Sequence, residues 1–399
     1  MSRGRRLRPR TPLLVALLSA AFACAPGGDR ATGEAGTPLP GLSGSDLSRF
    51  HAGRSLFEKV YSPEEGLGPL FNENQCSACH TSPATGGTTG FERVVKATRY
   101  MGPGECDLLE REGGENVRTQ ATPLLRAHGV ERQAIPAAAT EIGRFTPPFL
   151  FGAGLIEQIS EESILAAEDP GDADRDGISG RAGRTADGRL ARFGRKAEFA
   201  TIEEFTGKSA LRLEMGLTTP AMREETAVNG APLPPNADPA PDPEVDQRTV
   251  DLLTAFVQFL AAPAAAQKRS PARGDTLAAG ERAFAELRCS ACHTPSMRTG
   301  PHDNPALDRK TVDLYSDLLL HDVGPALADV CGRTASPSEV KTELLMGLRH
   351  RDRLLHDGRT SDLREAILLH GGEARGPRDA FADLSWLEQE YVLRFLRSL

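Results

Sequence analysis

Long apolar runs are missing from this sequence. The longest candidate, Thr11–Ala23 (TPLLVALLSAAFA), falls short of the ~20 apolar residues that a helix needs to cross a bilayer. An excess of positive charge is also missing. Lys and Arg number 47 against 55 Asp and Glu, for a formal net charge of −8. That balance argues against a nucleic-acid-binding role, which needs basic residues to displace counterions from phosphates. Cysteine is sparse as well, with seven in 399 residues. Four of the seven lie in two copies of one pentapeptide, so no C-x-x-C pair is left over to exchange with a thiol substrate.

The two copies are Cys76-Ser-Ala-Cys79-His80 and Cys289-Ser-Ala-Cys292-His293. C-x-x-C-H is the attachment signature of c-type haem. Two thiols three residues apart on one turn add to the two vinyl groups of one porphyrin, and the adjacent His offers its ring nitrogen to the iron. A zinc site built from two C-x-x-C pairs is the competing metal reading. Zinc ribbons usually hold their pairs about 15–20 residues apart, whereas these pairs are far separated and each carries its own His. The spacing therefore predicts two covalently attached haem c groups, with Cys76, Cys79, Cys289 and Cys292 as attachment points and His80 and His293 as iron ligands.

The N-terminus reads as a secretory signal peptide over residues 1–23: five Arg and no acid, then a short apolar run, then small residues. Ala23-Cys24 resembles a bacterial lipoprotein cleavage site, although Ala21 stands where Leu is usual. The expectation is an exported, periplasmic or outer-membrane-anchored protein that meets the membrane only through a lipid anchor. Loss of residues 1–23 would leave 42 Lys and Arg against 55 acids. An acidic surface suits a basic redox partner protein, and ordinary solubility accounts for it equally well. Cys106 and Cys331 remain. An oxidising compartment permits a disulfide between them, and two unrelated thiols are the alternative.

Residues 24–45, rich in Gly, Ser, Thr and Pro, read as a flexible tether. Asp46–Tyr61 then reads as a helix with Gly53 four residues before Phe57. Gly280 and Phe284 repeat that spacing just ahead of the second motif. Small residues at such positions let helices cross closely, as in the N-terminal helix of cytochrome c folds. Val245–Leu260 and Leu384–Leu399 are amphipathic at helical spacing and predict a closing helix for each half, with Ser385 and Glu388 forming a cap. The expected fold is mainly α, with two cytochrome c-like haem domains, 46–262 and 275–399, joined by a linker over 263–274. The first domain is enlarged by long loops. A fainter echo, Thr146…Phe151-Gly152 against Thr342…Met346-Gly347, points to duplication too.

Asp172-Ala-Asp174-Arg-Asp176-Gly177-Ile178 matches the first half of a calcium loop, in which Asp172, Asp174 and Asp176 supply carboxylates and Ile178 a carbonyl. Gly183 occupies the position where such loops carry a bidentate Glu, and an acidic surface turn is the competing reading. Met215, Met346 and His356 are candidate further iron ligands, and His321 and His370 are equally placed by spacing. Each is more often a packing or hydrogen-bonding residue.

Several segments together resemble the di-haem oxidoreductase family, also labelled thiol oxidoreductases, which is distantly related to bacterial di-haem cytochrome c peroxidases. They are FNENQCSACH (71–80), the stretch 146–181, ARFGRKA (191–197), EMGLTTP (214–220), CSACHTP (289–295), YSDLLLHDVG (315–324) and 354–375. The usual H-D-M-G is here His321-Asp-Val323-Gly, so no Met ligand arises at Val323. The resemblance implies one haem that takes electrons from a protein or small donor and another that meets a peroxide-type substrate. It also implies an acid–base group and a cationic stabiliser. The segment Asp357-Gly-Arg359…Glu365 offers Glu365 for the first role and Arg359 for the second. Glu157 is the first-half alternative.

Overall fold

The computed structural model describes residues 30–399 apart from 92–93, 114–115, 224–227 and 266–270. The expected signal peptide and Cys24 lie outside the described residues. Six helices carry the architecture: α1 (Gly44–Phe57), α2 (Ala153–Glu157), α3 (Gln247–Gln258), α4 (Pro271–Glu286), α5 (Leu363–Leu368) and α6 (Trp386–Leu396).

Two matched helix pairs, α1 on α3 and α4 on α6, frame the two halves. Three of these four helices begin with local chemistry that the sequence carries. Ser43 Oγ accepts the Asp46 amide at the start of α1, and Asp246 accepts the Thr249 amide at the start of α3. Ser385 and Glu388 form a reciprocal capping box at α6, satisfying amides that the first turn leaves unpaired. The crossings depend on glycine. A Cβ on Gly53 would run into the Leu252 carbonyl and stand 2.9 Å from Phe256 Cβ. A Cβ on Gly280 would run into the Tyr391 carbonyl and stand 2.8 Å from Phe395 Cβ. The same offsets recur in both pairs, so the two crossings are built alike.

The echoed segments meet each other. Gly152 (φ 76°) and Gly347 (φ 73°) each start a short helical turn from the left-handed region, where glycine is at ease. A Cβ on Gly152 would stand 2.7 Å from Met346 Cε, and one on Gly347 would stand 2.8 Å from the Phe149 ring. Met346 is accordingly buried in the larger apolar core.

Three expectations need correction. The fold is not mainly α: after the first C-x-x-C-H motif the chain forms a small antiparallel sheet of β1 (Val94–Gly102), β2 (Glu105–Asp107), β3 (Asn116–Val117) and β4 (Glu141–Phe145), with β1 central. Two further strands, β5 (Leu320–Asp322) and β6 (Glu339–Lys341), pair in the second half. The expected tether is laid onto the body from Arg30 onward. Thr32–Gly33 pairs in parallel with Ala262–Pro263, Leu39 donates its amide to the Phe259 carbonyl, and Ala31 and Leu39 are buried. Small residues fit closely there, so Gly and Pro content marks contact rather than freedom. Finally, α4 begins at Pro271, inside the expected linker. Cys106 and Cys331 form a disulfide, Cα–Cα 5.9 Å, that ties β2 to the second half.

Candidate haem centres

Each C-x-x-C-H motif forms one tight helical turn. His80 donates its amide to the Cys76 carbonyl at 3.2 Å, and His293 to that of Cys289 at 2.9 Å. At the second motif, Cys289, Cys292 and His293 face one cavity. His80 Nδ1 lies 3.0 Å from Gly87 O, and His293 Nδ1 lies 3.0 Å from Tyr315 O. A carbonyl partner places the proton on Nδ1 and leaves the Nε2 lone pair for a metal. Burial holds both imidazoles well below their ordinary pKa, down to about 4, so the neutral, ligating form prevails. Each aromatic four residues after a crossing glycine links its His to the helix pair. Phe57 sits 5.9 Å from His80 and 4.8 Å from Phe256, and Phe284 sits 6.4 Å from His293 and 5.5 Å from Phe395.

The second motif opens into a cavity of about 200 Å³. Cys289, Cys292 and His293 line it together with apolar side chains that include Phe284, Leu345, Leu348, Ile367 and Phe381. Apolar walls around two thiols and one neutral imidazole are what a covalently held porphyrin requires, so the residues fit the group. Lys341, Glu343 and Arg351 form a charged stretch of the wall. Arg195 and Arg351 both pair with Glu343, the latter at 2.8 Å. In the first half, Met215 is buried with its sulfur 3.9 Å from Cys76 Sγ. Its carbonyl accepts the Gly68 amide, and it ends a widened helical stretch, Thr206–Glu214.

Other expected site residues are distributed differently. Met346 packs against Gly152 and does not line the second cavity. Glu365 is exposed and accepts a 2.5 Å hydrogen bond from Thr360. Arg359 is exposed as well, held by Asp357 at 2.6 Å and the Ala326 carbonyl at 2.7 Å. Neither lines the cavity, because α5 turns Leu363, Ala366 and Ile367 inward instead. Glu157 is a brace: it accepts the Ile202 amide at 2.8 Å and Gln258 Nε2 at 3.1 Å, and burial raises its pKa. Its partners lie in the protein interior, not at a haem motif.

In the acidic loop, Asp172 and Asp174 gather with Asp169, which the motif did not single out. Asp176 turns away to pair with Arg288, directly before the second motif, and Ile178 lines the second cavity. His356 lines the cavity too, with Nε2 3.3 Å from Asp329 Oδ2. His321 and His370 also line it. Spacing could not rank these three, because only their hydrogen-bond partners distinguish them.

No curated protein matches this chain. Among solved structures, hydrazine synthase of Kuenenia stuttgartiensis, pressurised with 20 bar xenon, is similar over 98% of this chain and 100% of that one, at 13% identity and a TM-score of 0.41. A MauG-like protein associated with microbial copper homeostasis is similar over 60% of this chain and 89% of that one, at 15% identity and a TM-score of 0.29. The family model described as "di-haem oxidoreductase, putative peroxidase" matches residues 139–399, well over half of the chain, including the second C-x-x-C-H motif and the segments around Met215, His321, His356 and His370. With two C-x-x-C-H turns built alike and a family match of this extent, the chain belongs to the di-haem oxidoreductase family.

Proposed function

We propose that this protein is an exported c-type cytochrome with one covalent haem at Cys76/Cys79 and one at Cys289/Cys292. It acts as a peroxidase-like oxidoreductase in which one haem takes electrons from a donor and the other meets a peroxide-type substrate. The observation that carries the reading is the repeated turn: two thiols beside an imidazole whose Nδ1 is fixed on a carbonyl, at 3.0 Å in both halves. Haem would supply one-electron chemistry at iron. The chain's own part is to orient His80 and His293, to wall the second site with apolar side chains, and to bring Met215 beside the first. The basic n-region and short apolar run support export, and Cys24 supports a lipid anchor in the periplasm or outer membrane. Asp169, Asp172 and Asp174 are the carboxylates to which a calcium ion would bind, with Asp176 committed to Arg288.

A second reading, an electron-transfer cytochrome without turnover, is favoured by the sulfur of Met215 beside the first motif. The deciding experiment uses the haem-loaded full chain. A pyridine haemochrome assay should return two haems per chain. Optical and EPR spectra at successive redox levels, with and without carbon monoxide, should show one haem that accepts an exogenous ligand, followed by peroxide turnover. Two low-spin haems inert to carbon monoxide at every redox level would remove the peroxidase reading and leave electron transfer.

A further inference from the structure

Three histidines besides His293 line the second cavity, and their ring nitrogens are committed in different ways. His321 is held on both sides: Nε2 lies 2.8 Å from Asp317 Oδ2 and Nδ1 lies 2.8 Å from Glu373 Oε2. Neither nitrogen keeps a lone pair for a metal. His356 points Nε2 at Asp329, 3.3 Å away, and Asp329 is in turn paired with buried Lys196 at 2.7 Å. That ring is drawn toward a carboxylate set behind the cavity wall.

His370 differs from both. It follows α5, and its Nδ1 lies 2.8 Å from Ala366 O, one turn back along the chain. This hydrogen bond places the proton on Nδ1, and Nε2 has no hydrogen-bond partner among the described residues. The backbone is fixed as well. The His370 amide bonds the Ile367 carbonyl at 3.2 Å, and its own carbonyl accepts Arg378 Nη1 at 3.0 Å. The arrangement repeats the seating of His80 and His293, each ring held by a backbone carbonyl at Nδ1.

We infer that His370 Nε2, together with His293, would hold the iron of a haem attached at the second motif. The inference rests on haem attachment at Cys289 and Cys292. A haem held by both imidazoles would be six-coordinate and low-spin, a state suited to electron transfer.

The test is spectroscopic and uses the haem-loaded full chain. Near-infrared magnetic circular dichroism of the wild-type protein should show the charge-transfer band of a bis-imidazole ferric haem. In His370→Ala, with two haems still attached by haemochrome assay, one low-spin haem per chain should become high-spin and take up one added carbon monoxide when reduced. Exogenous imidazole should restore the low-spin spectrum, and His356→Ala should leave the spin state unchanged. A wild-type spectrum without a bis-imidazole band would overturn the assignment without any variant. So would a His370→Ala spectrum unchanged in spin state, or a shift to high spin caused by His356→Ala instead. Absence of haem from Cys289/Cys292 would defeat the attachment reading itself, and the haemochrome count separates that outcome from the others.

Discussion

Gly347 lies against the ring of Phe149, so close that a Cβ added to the glycine would stand 2.8 Å from a ring carbon. The glycine is also in the left-handed region, at φ 73°. Gly347→Ala should therefore destabilise the protein on two grounds, overpacking by about 1–3 kcal/mol and backbone strain by about 1–2 kcal/mol. Gly376 has nothing within 4 Å and sits in a helix. Its replacement by Ala should raise stability slightly, by about 0.5–1 kcal/mol. Urea unfolding midpoints of the two variants should move in opposite directions.

Lys196 and Asp329 form a buried ion pair, each only 4% exposed at the side chain. Lys196 also donates to the carbonyls of Pro337 at 3.0 Å and Glu339 at 2.7 Å. Lys196→Met leaves Asp329 buried without its cation and should cost about 3–5 kcal/mol. Adding Asp329→Asn to that variant should recover part of the loss, because the orphaned charge is then removed. A double-mutant cycle measured by denaturant unfolding checks both values.

Glu343 supplies the pH dependence. Burial alone would raise its pKa, but Arg195 and Arg351, with Lys341 nearby, outweigh burial and hold the carboxyl well below the usual range. A carboxylate depressed in the folded state binds its proton more weakly there than in the unfolded chain. The stability it contributes is complete above the unfolded value, about 4.3, and is lost as pH falls toward the folded value. Unfolding free energy should therefore fall more steeply below about pH 5 in the wild type than in Glu343→Gln. Parallel slopes for the two proteins would contradict the role assigned to this carboxylate.

Removing the Cys106–Cys331 disulfide by the double substitution Cys106→Ala/Cys331→Ala should cost about 2–5 kcal/mol. Optical spectra of the haem-loaded chain should change little, because the bridge joins β2 to a loop and neither cysteine lines the second cavity. Thermal unfolding with and without reductant checks the size of the effect. Only the wild type should respond to reductant.

What the sequence made legible was local or periodic. The C-x-x-C-H turns need only five residues. The crossing glycines Gly53 and Gly280 announce themselves by the aromatic one turn later, and the Ser385/Glu388 box is a four-residue signal. What stayed hidden depends on partners remote in the chain. His321, His356 and His370 look alike in sequence; they separate only once Asp317, Asp329 and the Ala366 carbonyl are in place. Met346 is as plausible a ligand as Met215 until Gly152 is seen to receive it. The sheet around β1 was missed because Val94–Gly102 is interrupted by Lys96 and Arg99 and is supported by strands from both sides. Residues 30–45 were misread because small residues signal flexibility in isolation and close fit in contact.

Closing Cys106 to Cys331 makes a covalent ring out of a linear chain, with a sequence separation of 225. The second C-x-x-C-H motif lies inside the ring and the first lies outside it. A single backbone cut anywhere within the ring frees no fragment until a reductant opens the bridge. A single cut between residues 81 and 105 leaves the first motif covalently detached from everything that follows. The two C-x-x-C-H segments thus differ in how they are threaded as well as in what surrounds them, and a protease followed by a gel run with and without reductant would read that difference directly.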